Sequence, residues 1–135
     1  MHPEVKEILD YCFDNAKYLL TETADFDPFA AFIDNQGNLN PLEYDADKKS
    51  SPLSGDVIDS LLKCCKEEYN EGNIRGYGIA YEVSIQLEKD APATDAIAID
   101  VKHIFEKQIP LFYLPYQISS DEIVTFGDSF AVKRD

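Results

Sequence analysis

The chain has 135 residues, the size of one domain that buries about two-thirds of its extended surface, so neither a metal nor a disulfide is needed to hold its core. Twenty-six acidic residues against twelve basic ones give a net charge of −14. That balance argues against phosphate-neutralising contact with nucleic acid and against adsorption to an anionic membrane. Eight Phe, eight Tyr and a hydrophobic fraction of 44% are the composition of a globular protein, not a disordered one.

The acidic residues are scattered from Glu4 to Asp135 without a long run, the pattern of a solvated surface, with which a basic protein partner is compatible. The cysteines are Cys12, Cys64 and Cys65, an odd count with two of them adjacent, which is not a disulfide framework. No further ligands complete a zinc set around them, so neither a metal nor another cofactor is expected. The opening MHPEVKEILDYC lacks the basic-then-apolar layout of a signal peptide, and the apolar run IPLFYLPY is too short to span a bilayer. The expectation is a reducing cytoplasm and no membrane.

Pro3 suits the first turn of a helix, and Val5, Ile8, Leu9, Cys12, Ala16, Leu19 and Leu20 recur at helical spacing, predicting a helix over residues 3–22. Asp10 and Asp14 fall on its opposite face, where solvated charges at that spacing are commoner than a site. His2 is expected in a frayed terminus. The next segment, FAAFIDNQGNLNPLEY, raises the question of an ion-binding loop. With Gly37 in the sixth place of an EF-hand loop, the first place would be Phe32, which offers no carboxylate, and Pro41 would lie inside the loop. The reading is a hairpin, with strands 29–34 and 39–44 around Asn35, Gln36, Gly37 and Asn38.

Residues 44–54 (YDADKKSSPLS) read as a polar, flexible loop. Ser54 caps a second helix, with Asp56 in its first turn, an apolar stripe of Val57, Ile58, Leu61, Leu62, Cys65 and Tyr69, and Gly72 as its stop. Cys65 belongs to the core and Cys64 to the stripe's edge. Residues 79–87 alternate cleanly, predicting a half-buried antiparallel strand with Ile79, Tyr81, Val83, Ile85 and Leu87 facing inward. A second long strand carries Ile97, Ile99, Val101, His103 and Phe105 on its inward face. GNIRGYG lacks the strand–turn–helix context of a phosphate-binding loop.

In QIPLFYLPYQI both faces are apolar, Leu111 and Tyr113 on one and Phe112, Leu114 and Tyr116 on the other. A strand apolar on both sides belongs in the middle of a sheet, whereas Pro110 and Pro115 belong on an edge. The conflict eases if the second face is covered by the tail EIVTFGDSFAVK, a second copy of the chain, or a ligand.

The fold class is therefore α+β: a single domain over residues 1–135, with a mostly antiparallel sheet of five or six strands and two helices on one face, in the order α-β-β-α-β-β-β. That order is similar to profilin-like and roadblock-like scaffolds, which implies dimerisation and partner binding. DPFAAFIDNQGNL, YLPYQI and TFGDSFA together resemble a group of small bacterial proteins of unassigned function, which implies a bacterial cytoplasmic domain and no particular chemistry.

No residue pattern assembles a catalytic centre. Ser119 and Ser120 beside Asp121 are turn chemistry. The expected function is a non-catalytic, immunity- or adaptor-like interaction module that binds a protein partner or itself through the outer face of the C-terminal strands, with Phe112, Leu114 and Tyr116 as interface residues. The alternative is a small-molecule-binding protein or minor enzyme with an aromatic pocket built around His103 and Tyr113.

Overall fold

The computed structural model describes residues 1–24, 26–43, 54–86 and 88–133, with backbone alone for 43 and 54–57. The expected loop 44–54 falls outside these residues except for the backbone of Ser54. The same holds for the side chains of Ser54, Asp56 and Val57, and for Leu87. Two helices, α1 (Pro3–Thr23) and α2 (Ser54–Asn70), accompany seven strands: β1 (Phe29–Asp34), β2 (Leu39–Glu43), β3 (Ile74–Ile85), β4 (Thr94–His103), β5 (Leu111–Ile118), β6 (Val124–Phe126) and β7 (Phe130–Val132). The sheet is antiparallel throughout, in the order β2-β1-β3-β4-β5-β6, with β7 also paired to β5. The architecture is α+β in the expected element order, extended by two short C-terminal strands. No helix among the described residues is long and apolar enough to cross a membrane.

The helices lie on opposite faces of the sheet, not on one. Along β3, Ala80 packs in the cluster that contains Ile8, Cys12 and Leu20 of α1, while Tyr77 and Ile79 pack with Leu61 and Cys65 of α2. Successive strand residues point to opposite faces, so the two clusters are separate layers. The expectation failed because both helices show an apolar stripe, and a stripe does not say which side of a sheet it will find. For the same reason β3 is buried on both faces over residues 76–80 and becomes half-buried only from Tyr81 onward. The pairing of Ile79 with Asp100 puts the odd-numbered residues of β3 and of β4 on opposite faces, not on one shared inward face.

The burial of Val5, Ile8, Leu9 and Leu20 supplies on the order of 10 kcal/mol of hydrophobic stabilisation before the entropy of ordering them is set against it. The helix comes unusually close to β3. A Cβ added at Gly78 would overlap Ile8 Cγ2, and one at Gly76 would lie 2.7 Å from both the His103 ring and the Lys102 carbonyl oxygen. Glycine inside a strand is unfavourable by propensity and is retained here because another element needs the space. The second helix ends in a Schellman arrangement. Asn73 N–H donates to Glu68 O, Gly72 N–H donates to Tyr69 O, and Gly72 takes a φ of +79°.

The proline conflict in β5 resolves at its outer edge. The strand is not at the margin of the sheet: β7 pairs with Leu111, Phe112 and Tyr113, and β6 pairs with Tyr116, Gln117 and Ile118. Between the two, Gly127 N–H donates to Pro115 O at 2.9 Å. A residue's N–H and C=O point to the same side of an antiparallel strand, so the donor that Pro115 lacks would face the gap where the chain passes from β6 to β7. No ladder bond is lost there.

Gly78→Ala is expected to destabilise the protein by about 1–3 kcal/mol through overpacking against Ile8, read as a lower urea midpoint with an unchanged m-value.

Candidate functional site

A dense cluster of long-range polar contacts lies at one end of the sheet, where four pieces of chain meet. His2 and Glu4 come from the start of α1, Arg75 from β3, His103 from the end of β4, and Phe105 and Glu106 from the turn that follows it. Pro3 at the first helical position leaves residue 2 as the N-cap, and His2 fills that role. Its Nδ1 accepts the Glu4 N–H at 3.1 Å, as the side-chain oxygen of Asn or Asp would. His2 is thus a built part of the helix start, not a frayed end, and Pro3 was the signal for it. A register shift between Ile33 and Asp34 makes Arg75 the extra residue of β3. Its guanidinium reaches Glu4 Oε2 and the Asn35 carbonyl, both at 2.8 Å.

The His103 side chain is fully buried, and both ring nitrogens are engaged. Nε2 lies 2.7 Å from Glu4 Oε1, and Nδ1 accepts the Phe105 N–H at 3.1 Å. These partners assign the tautomer: Nδ1 is bare, so the proton sits on Nε2 and is donated to Glu4. The imidazole packs against His2 with ring centroids 4.5 Å apart, and Phe105 stacks on His2. Burial by itself would raise the Glu4 carboxyl, but hydrogen bonds from His103 and Arg75 and the charge of Arg75 outweigh it and hold the group below its ordinary range.

The chemistry open to this cluster is narrow. His103 offers no free lone pair to a substrate, so it is not placed as a general base. The ligand atoms of His2, Glu4 and His103 lie within 4.8 Å of one another, close enough to suggest a metal. A cation on His103 Nε2 would displace that proton and require Nδ1 to carry one, facing the Phe105 N–H. The donor set fits a structural clasp and not a metal centre. Beside it, a cleft of about 360 Å³ is lined by Tyr69, Lys102, His103, Glu106 and Lys107 among others.

Tyr113, the other expected pocket residue, is nowhere near this cleft. It pairs with Ala98 on β4 and with Phe130 on β7, on the face of the sheet opposite α1, and its ring stacks on Phe130 at 5.4 Å. The structure therefore separates His103 and Tyr113. Of the expected interface residues, Leu114 and Tyr116 are only 2% exposed in the core beneath α1, and Phe112 meets Phe13 of α1 edge-to-face. The outward side of β5 is the other one, with Leu111, Tyr113 and Pro115. Sequence alternation separated the two sets, but nothing in it said which set α1 would take.

The remaining candidates are structural. Asp34 Oδ1 accepts the N–H groups of Gln36 and Asn38, and Oδ2 accepts from Asn40, so its carboxylate closes the hairpin turn. Asp10 pairs with Lys6 at 2.8 Å on the exposed side of α1. Burial pushes the Cys12 thiol up to about 12; burial and the neighbouring Cys64 do the same for Cys65, while Cys64 is exposed. The Tyr116 hydroxyl bonds Glu82 across β4.

No protein-family model, curated protein or solved structure matches this chain.

Glu4→Gln should lower stability by about 1–3 kcal/mol at neutral pH, because it weakens the charge-assisted bonds from Arg75 and His103. The Glu4 carboxyl is lowered on folding, so its contribution is complete above the unfolded value near 4.5 and is lost as pH falls through the lower folded value. The stability gap between wild type and variant should therefore shrink in acid as pH falls through that lower value, measured by urea unfolding.

Proposed function

We propose that the protein is a non-catalytic interaction module, and that it binds a protein partner or a second copy of itself through the C-terminal half of the sheet face opposite α1. One observation carries the reading. That face holds Val83 and Ile85 of β3, Tyr113 and Pro115 of β5, and Phe130 and Val132 of β7. No Asp, Glu, Lys or Arg shares it from Tyr81 to Ile85, from Thr94 to Ala98, or along β5 and β7, in a chain whose net charge is −14. On this side of the sheet α2 packs over β3 and β1, toward the other end of the strand order.

The result is an open apolar groove of about 630 Å³ lined by Ile85, Gln86, Tyr113, Phe130 and Val132. An uncharged apolar surface on an otherwise acidic molecule is where another molecule can dock without desolvating charge. On this surface two like-charged copies can meet without direct repulsion. The groove also has the volume of a small-ligand site, which keeps an apolar ligand as the second reading. It lacks convergent polar groups beyond Gln86 and the Tyr113 hydroxyl, and this favours the protein-binding reading.

Sedimentation velocity across a concentration series tests the proposal. Self-association through this face is expected to strengthen as salt screens the repulsion between acidic copies, and to disappear in Tyr113→Ser/Phe130→Ser. A wild-type protein that stays monomeric at every concentration and salt removes the second copy as the partner. Unchanged binding of a hydrophobic dye by the double variant would remove the face itself.

A further inference from the structure

The chain contains two histidines, and both use Nδ1 to accept a backbone N–H: His2 from Glu4 and His103 from Phe105. Both roles exist only while Nδ1 is bare. The rings are in contact at 4.5 Å, so two protonated rings would also repel each other. We infer that the pair is an acid-sensitive switch: in the neutral state one ring caps the start of α1 and the other holds the turn after β4, and on protonation each ring loses its backbone N–H.

Charged groups that bond within the cluster come from three elements, and Lys102 and Lys107, with Tyr69 of α2, line the cleft beside His103. Glu4 of α1 takes the His103 Nε2 proton, Arg75 of β3 occupies the other Glu4 oxygen, and Glu106 of the turn accepts the His2 backbone N–H at 2.7 Å. Glu4 attracts a positive His103 and Arg75 opposes it, but neither restores the lost acceptor. A protonated His103 keeps its bond to Glu4 through Nε2 and points a second N–H at the N–H of Phe105. Two donors 3.1 Å apart cannot share a hydrogen bond, so the turn must move while the ring stays in place. At His2 the same event removes the cap of α1, and positive charge at a helix N-terminus opposes the dipole.

The turn that moves carries Ile104, 41% exposed, and Phe105, 66% exposed and stacked on His2. Release therefore changes the apolar surface this end of the molecule presents, without touching the layers of the core. The Glu106 bond to the His2 backbone does not depend on either ring and keeps the start of α1 beside the turn.

The test is hydrogen exchange followed by NMR, with protection factors for the Glu4 and Phe105 amides measured from about pH 8 down to about pH 5. Each is expected to fall by about tenfold per pH unit once its histidine binds a proton, while the Ile99 amide in β4 keeps its protection. His2→Asn retains a capping oxygen that does not titrate. It should make the Glu4 amide insensitive to pH and leave the fall at Phe105 intact. Ring nitrogen shifts of His103 in the wild type should show a bare Nδ1 and a protonated Nε2 at the upper end of the range. Constant protection at both amides, or an Nδ1 proton on His103 at that upper end, would overturn the inference. These wild-type readings decide it even if the variant does not fold.

Discussion

The contact on which the rest depends is the approach of α1 to β3 across a strip of backbone without side chains. At Gly76 and Gly78 the strand leaves room for the His103 ring and for Ile8, and so α1 settles directly on the sheet. Ridge-into-groove packing of aliphatic side chains gives the attraction, and the two glycines set the depth. Once the helix lies there, its start is carried over the ends of β3 and β4. Glu4 then has two donors to satisfy, Arg75 and His103, both on strands far from it in sequence.

The same placement distributes the apolar surface. Helix α1 covers the middle of one side of the central strands, where Phe112, Leu114 and Tyr116 join its cluster. The second helix covers the other side only over β1 and β3. Seven strands are wider than one 17-residue helix can cover, and among the described residues no helix lies over the C-terminal half of that side. The tail does not lie across that face. It extends the sheet sideways as β6 and β7, contributes Phe130 and Val132 to the apolar surface, and turns the corner at the one residue of β5 that has no N–H to offer. A face built by a tail running edgewise is wide and, over the stretches of β3, β4, β5 and β7 named above, free of charge.

The polar cluster and the apolar face sit on opposite sides and at different ends of the molecule, so neither completes the other. That separation is why an aromatic pocket shared by His103 and Tyr113 does not form. Both residues lie on adjacent strands at odd positions, and oddness means opposite things on β4 and β5, because Ala98 pairs with Tyr113 and Ile99 with Phe112.

Much of this was legible in the chain itself. The bounds of α1 follow from Pro3 and the spacing of Val5, Ile8, Leu9 and Cys12; the stop of α2 follows from Gly72; and the Asp34–Asn38 hairpin follows from residues that bond their own neighbours. These features are fixed by interactions within a few residues, so sequence alone determines them. Which stripe meets which sheet face, which side of β5 remains open, and whether His2 and His103 touch were decided only by tertiary structure. Each depends on a strand register or a helix position set by residues up to a hundred places away, and the period of an apolar pattern carries no record of the partner that will cover it.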